Sequence, residues 1–328
     1  MTWLVWRQHR MQLLCGVAAL VVLGAFFVAT GLPMHDRFEK AGLPECLPQT
    51  IDSKVVVSDV TEVDPTGPVT ASEAGGTGEG ANTDDSREAA ISRCAQAAND
   101  FYNDHQNVVF AGLLLLILPM LVGMFWGAPL VAREIEHGTH RLVWTQGTSR
   151  LRWAATKIGL VSIGVLAITA IYAAMLTWWI TPVIQTSGQR FDFIFFDIHG
   201  IVVFGYVMFA LALGIFAGAV TGRLLPAMAT TVVGFIAVRL LVMLAARNHY
   251  RPTETRPVPD LATGFGQMRN DLHGDWIVAS HARGSTEVLT IHPASDFWAF
   301  QAIETTIFMA LAIALLTGSI FWVRRRIA

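Results

Sequence analysis

Charge is scarce in this chain. Asp, Glu, Lys and Arg make up 15% of its 328 residues, against about a quarter in an ordinary soluble domain. Cysteine is limited to three residues, too few for a disulfide-dense scaffold. There is no GxxxxGK[ST] loop, no GxSxG elbow and no HExxH helix, so nucleotide hydrolysis, esterase chemistry and zinc peptidase chemistry have no recognisable seat. The "GGTGEG" at residues 75–80 lacks the GxGxxG spacing and the strand and helix that a phosphate-binding loop needs on either side. Ten-residue segments of alternating hydrophobicity are also missing, which excludes an outer-membrane barrel.

What is present is apolar sequence in long runs, 53% of the chain by composition. Six runs reach the roughly 20 residues that cross a hydrocarbon core of about 30 Å: residues 11–31, 108–132, 158–182, 201–220, 224–246 and 301–323. The fifth is broken inside by a charge, Arg239, and the sixth holds one near its start, Glu304. A soluble core helix can be apolar all round, but six of bilayer length predict an all-α polytopic membrane protein. Two sizeable loops, 32–107 and 247–300, fall on one side, with a shorter one at 183–200. The other side receives residues 1–10, 133–157, 221–223 and 324–328.

The positive-inside rule orients these spans. With both termini cytoplasmic, the inner segments carry 11 Lys and Arg against two acids, Glu134 and Glu136, and the outer segments carry 11 against 23. The chain is therefore expected to be a multi-pass membrane protein with both ends in the cytoplasm. Arg7 and Arg10 precede the first run as in a secretory signal, but about 20 apolar residues and the "VATGLP" that follows suit a retained span better. Trp3, Trp6, Arg7 and Arg10 fit an interfacial lead-in helix.

The loop at 32–107 is rich in Gly, Thr, Asp and Glu, a composition that predicts mobility. It holds Cys46 and Cys94, either a disulfide or two free thiols; a bond there would be worth about 4 kcal/mol by chain entropy. In the second outer segment His249, His273, His281 and His292 match no metal spacing and read as surface residues. Phe297, Trp298 and Phe300 read as an aromatic belt. Arg239, costly inside a membrane, either pairs with Glu304 of the sixth span or snorkels outward.

The polar interlude "REIEHGTHRLVWTQGTSRLRW", 133–153, divides the second run from the third. His137 and His140 beside Glu136 hint at a metal, but Gly138 weakens a helix between them and no third ligand follows, so no metal site is assigned. Gly138 can cap the descending helix, Thr139 can cap a short helix after it, and Leu142, Val143 and Trp144 can embed that helix at the membrane surface. Glu134, Glu136, His140 and Arg141 would then face a cytosolic partner.

In register, Arg133, Glu134, Glu136, Gly138 and Thr139, then Leu142 and Val143, then Ser149, Arg150 and Lys157 resemble the motif after the second span in ABC-2 type transporter permeases, in particular an actinobacterial six-span group. "MTWLVWRQHR" and "FWAFQAIET" are similar to that group as well. Gly147 departs from the Pro found in many members. The resemblance implies an exporter's membrane subunit with Arg133, Glu134, Glu136, Gly138, Thr139, Arg141, Ser149 and Arg150 in a coupling element that rests on an ATP-binding subunit. It implies no cofactor in this chain, ATP and magnesium being held by the partner, and a homodimer or paired permeases forming twelve spans among membrane lipids, with no nucleic acid. Apolar second and fifth spans favour a lipophilic or amphiphilic cargo. The competing expectations are an ion-coupled secondary transporter, which would need more intramembrane acids or a repeat, and a membrane-embedded lipid-modifying enzyme, which would need a convergent polar site.

Overall fold

In hydrocarbon a chain satisfies its backbone hydrogen bonds within itself, and the apolar runs do so as helices. The computed structural model describes residues 2–47, 80–137, 150–259, 274–283 and 286–326. Its main helices are α1 (Thr2–Lys40), α2 (Gly80–Asp104), α3 (Asn107–Leu115), α4 (Leu118–Val122), α5 (Ala128–Glu136), α6 (Arg150–Ser187), α7 (Phe193–Ile198), α8 (Val202–Thr221), α9 (Leu224–Leu241) and α10 (Phe297–Arg326). Six helical stretches are long and apolar enough to cross a membrane: Leu13–Lys40, Phe110–Glu136, Ala155–Ser187, Val202–Thr221, Leu224–His249 and Ala294–Val323.

The fourth span, α8, occupies the centre. It is apolar on every face and packs against α10, α5 and α9. The second span reaches it through backbone rather than side chains. A Cβ on Gly214 would stand 2.3 Å from the Gly123 carbonyl oxygen and 2.7 Å from the Ala128 nitrogen, so the crossing exists only because these positions lack side chains. A π-helical turn at Gly123–Gly127 lies at this crossing. The first span is peripheral and leans on α6, where Phe27 meets Trp179 at 5.0 Å between ring centres and His35 stacks on Trp178 at 4.7 Å.

Several boundaries differ from the sequence reading. Lead-in and first span form one helix that runs to Lys40 rather than stopping at residue 31. Within the loop predicted to be mobile, residues 80–104 are helical; the acidic composition masked the Ala-rich stretch "REAAISRCAQAAND", whose residues favour helix. Cys46 and Cys94 are joined in a disulfide, Cα to Cα 6.0 Å.

The segment 247–300 carries a three-stranded antiparallel sheet ordered β1-β3-β2, from β1 (Glu254–Pro259), β2 (Trp276–Arg283) and β3 (Thr286–His292). Pro257 and Pro259 lie on β1, which among the described residues pairs with β3 alone, as prolines in a sheet require. The aromatic belt is corrected to Trp298 alone: Phe297 and Phe300 are buried, packed with Phe191, Phe196 and Trp276. His292 is fully buried beside Trp276 and Phe300, whereas His249 and His281 are exposed and His273 lies outside the described residues.

Candidate functional site

Two polar constellations stand out in the apolar bundle, at opposite ends. The first is where the second span leaves it. Arg133 is exposed, but the two acids that follow turn back into the chain. Glu134 forms a buried ion pair with Lys157 of the third span. Glu136 Oε2 accepts a hydrogen bond from the backbone nitrogen of Leu224, 3.0 Å away, at the start of the fifth.

That nitrogen is available because α8 stops at Gly222, which has φ of +62° and bonds back to the Gly218 carbonyl. Arg223 is extended, and α9 begins with unpaired N–H groups. A carboxylate there also meets the positive end of the helix dipole. Glu134 thus points to Lys157 within the chain, whereas Glu136 is exposed on the surface while it bonds to Leu224. His137 Nδ1 contacts the Arg133 carbonyl at 2.8 Å, an ordinary helix-end bond. Gly138, Thr139, His140, Arg141 and Ser149 lie outside the described residues, and Arg150 opens α6.

The second constellation lies deep on the sheet side. Asp192 caps α7, accepting from the Ile194 nitrogen at 3.0 Å, and the following apolar residues bury that helix with Asp197 inside it. Gln301 of α10 fixes the end of α7. Its side-chain nitrogen donates to the Phe196 and His199 carbonyls (2.9 and 3.1 Å) while its oxygen accepts from the Val202 nitrogen (2.9 Å).

Asp197 then meets two arginines. Arg239 Nη2 is 2.7 Å from Oδ2 and Arg247 Nη2 is 2.6 Å from Oδ1. Arg247 also grips Glu304 through Nε and Nη2, at 2.9 and 2.8 Å. The Tyr206 hydroxyl sits 2.9 Å from Asp197 Oδ1 and bonds to Glu304 Oε1, and Tyr250 donates to Glu304 Oε2 at 3.3 Å.

Two guanidinium groups and two carboxylates make the cluster neutral, which low dielectric demands. Arg239 spends a further donor on the Leu116 carbonyl, 3.3 Å away. Pro119, which has no N–H, interrupts the second span beside that carbonyl. The arginines also lie over rings, Arg239 at 4.7 Å from Tyr206 and Arg247 at 4.4 Å from Phe196.

The proposed Arg239–Glu304 pair is therefore replaced by Arg239–Asp197 and Arg247–Glu304. By sequence Asp197 falls in the outer loop 183–200 and Arg247 at the edge of the outer segment 247–300. Folding α7 inward brings the acid to Arg239, and Arg247 is nearer to Glu304. The signals for the missed residues were weak but present: "FDFIFFDIHG" is too apolar for a solvent loop, and Arg247 stands only eight residues beyond Arg239. Among the described residues no group of three His, Cys, Asp or Glu could hold a metal.

Six helices of bilayer length, together with charges neutralised inside the bundle, define a polytopic membrane protein. Residues 69–247, more than half of the chain, match the family described as ABC-2 membrane transporter related, and the chain belongs to that family. No curated protein and no solved structure matches it at a significant level. The matched stretch takes in the second to fifth spans, with Glu134, Glu136, Lys157, Asp197, Arg239 and Arg247; Glu304 lies beyond it. Permeases of this type in general pair with an ATP-binding subunit.

Proposed function

We propose that this chain is the membrane subunit of an ATP-driven exporter, with both termini cytoplasmic and ATP hydrolysed by a separate subunit. Two copies, or two related permeases, form the path for a lipophilic or amphiphilic cargo. The observation that carries the reading is the attachment of one helix end to two others: Glu134 holds Lys157 of the third span and Glu136 holds the first turn of the fifth. A push on the segment at 133–157 would reach three spans together, as rigid-body coupling requires. The residues from Gly138 to Arg150 supply the surface on which the ATPase rests. Co-expression with an ATPase partner tests this. The Glu134→Ala, Glu136→Ala double variant inserts normally but loses most transport-stimulated ATP hydrolysis, and retention of full stimulation overturns the coupling role.

Ion-coupled transport gains from two buried acids near the bundle's outer end, Asp197 and Glu304. Both are tied up in ion pairs with arginines, contacts that an acid carrying an ion across the membrane would have to give up. Transport by proteoliposomes under an imposed proton gradient, without ATP, would favour that alternative.

A further inference from the structure

A cavity of about 360 Å³ lies between the first three spans, bordered by Cys15, Ala19, Pro119, Phe125, Ile168 and Tyr172. Its size is in the range of small-molecule sites, about 300–1,000 Å³. Cys15 and Phe125 are exposed at the surface of the bundle, so the cavity communicates with the membrane interior.

The lining is apolar but for two hydroxyls, the Cys15 thiol and the indole N–H of Trp126. Thr169 spends its hydroxyl on the Val165 carbonyl at 2.8 Å. Tyr172 is only 8% exposed, and its hydroxyl has no hydrogen-bond partner among the described residues. Such a group in hydrocarbon finds no water to satisfy it. Acyl chains offer no acceptor at this depth. A molecule that is mostly hydrocarbon but carries a carbonyl or ether oxygen satisfies both the walls and the hydroxyl.

We infer that this cavity binds a lipophilic molecule bearing a hydrogen-bond acceptor, which Tyr172 engages. The inference rests on the cargo being lipophilic, as proposed above, and narrows its chemistry. The site lies within one chain, between spans one, two and three, and needs neither a second copy nor an ATPase to form.

The test uses the full chain in lipid nanodiscs, without ATPase. Two photoreactive probes of equal length are compared: a long-chain methyl ketone with a mid-chain diazirine, and the matching hydrocarbon. Peptides covering 118–126 and 165–172 are labelled about five-fold more by the ketone, the worth of one net hydrogen bond. In Tyr172→Phe, which keeps the ring and its packing, the preference disappears while hydrocarbon labelling stays. In Ala19→Trp, which fills the cavity, labelling by both probes is lost.

Equal labelling by the two probes in the unaltered chain overturns the inference, as does an unchanged preference in Tyr172→Phe or persistent labelling in Ala19→Trp. Failure here leaves the assignment as a transport subunit standing, and failure of ATPase association leaves this binding result untouched.

Discussion

Glu136 caps a helix that begins 88 residues further along the chain: its carboxylate accepts from the Leu224 nitrogen at 3.0 Å and so joins the end of the second span to the start of the fifth. Replacing it by Ala removes a cap and lowers stability by about 1 kcal/mol, whereas Glu136→Gln, which keeps an acceptor oxygen, costs less. Thermal melting of the purified variants in detergent checks the order, and the Ala variant also falls furthest in stimulated ATP hydrolysis.

The buried cluster predicts strong coupling between Asp197 and Arg239. Asp197→Asn leaves two guanidinium groups short of a counter-charge, and loss of one partner of a buried pair costs about 3–5 kcal/mol. Adding Arg239→Met removes one uncompensated charge, so the double variant is expected to melt above the Asp197→Asn single. A double variant that melts lower, by the sum of both single losses, would show that the two side chains act independently.

Two glycines are predicted to behave in opposite ways. Gly214→Ala drives a methyl into the backbone of the second span and is expected to cost at least about 1–3 kcal/mol by overpacking. Gly159→Ala, where a Cβ meets nothing within 4 Å, is expected to be neutral or stabilising by up to about 1 kcal/mol through helix propensity. Melting temperatures and yields of folded protein distinguish them.

Burial against Trp276 and Phe300 pushes the His292 imidazole below its usual pKa of 6.5, with the Asn248 backbone and Asp296 acting in the opposite sense. His199 is lowered too, by burial and then by Arg190. A histidine lowered in the folded state takes up its proton more readily when unfolded, so its contribution is complete above pH 6.5 and declines as pH falls below it. Protection of the β2 and β3 amides, after correction for the intrinsic exchange rate at each pH, is therefore expected to fall between pH 6.5 and 5, and His292→Phe is expected to flatten that dependence.

The spans were legible because bilayer length and apolar composition act locally, and five of the six appear close to where hydropathy puts them. The first was underestimated, since "HDRFEK" continues the helix as a polar extension that no hydropathy window counts. The strands have a sequence signal, since "WIVASHAR" and "TEVLTIH" are short, β-branched runs of the kind that marks strands, but the polar, His-containing segment around them reads as a surface loop. Arg239 was recognised as needing a partner, but Asp197 could not be assigned to it without knowing that α7 folds inward. Glu134 and Glu136 stand out by motif. Their targets, Lys157 and the Leu224 nitrogen, depend on how three helices meet and are invisible in one dimension.

The Cys46–Cys94 bond fastens the chain just beyond the first span to the helix that leads into the second. Those ends cannot drift apart, so the first two spans resemble the blades of scissors riveted at one tip. The cavity whose border includes Cys15 lies toward the other tip, where no disulfide ties the two spans.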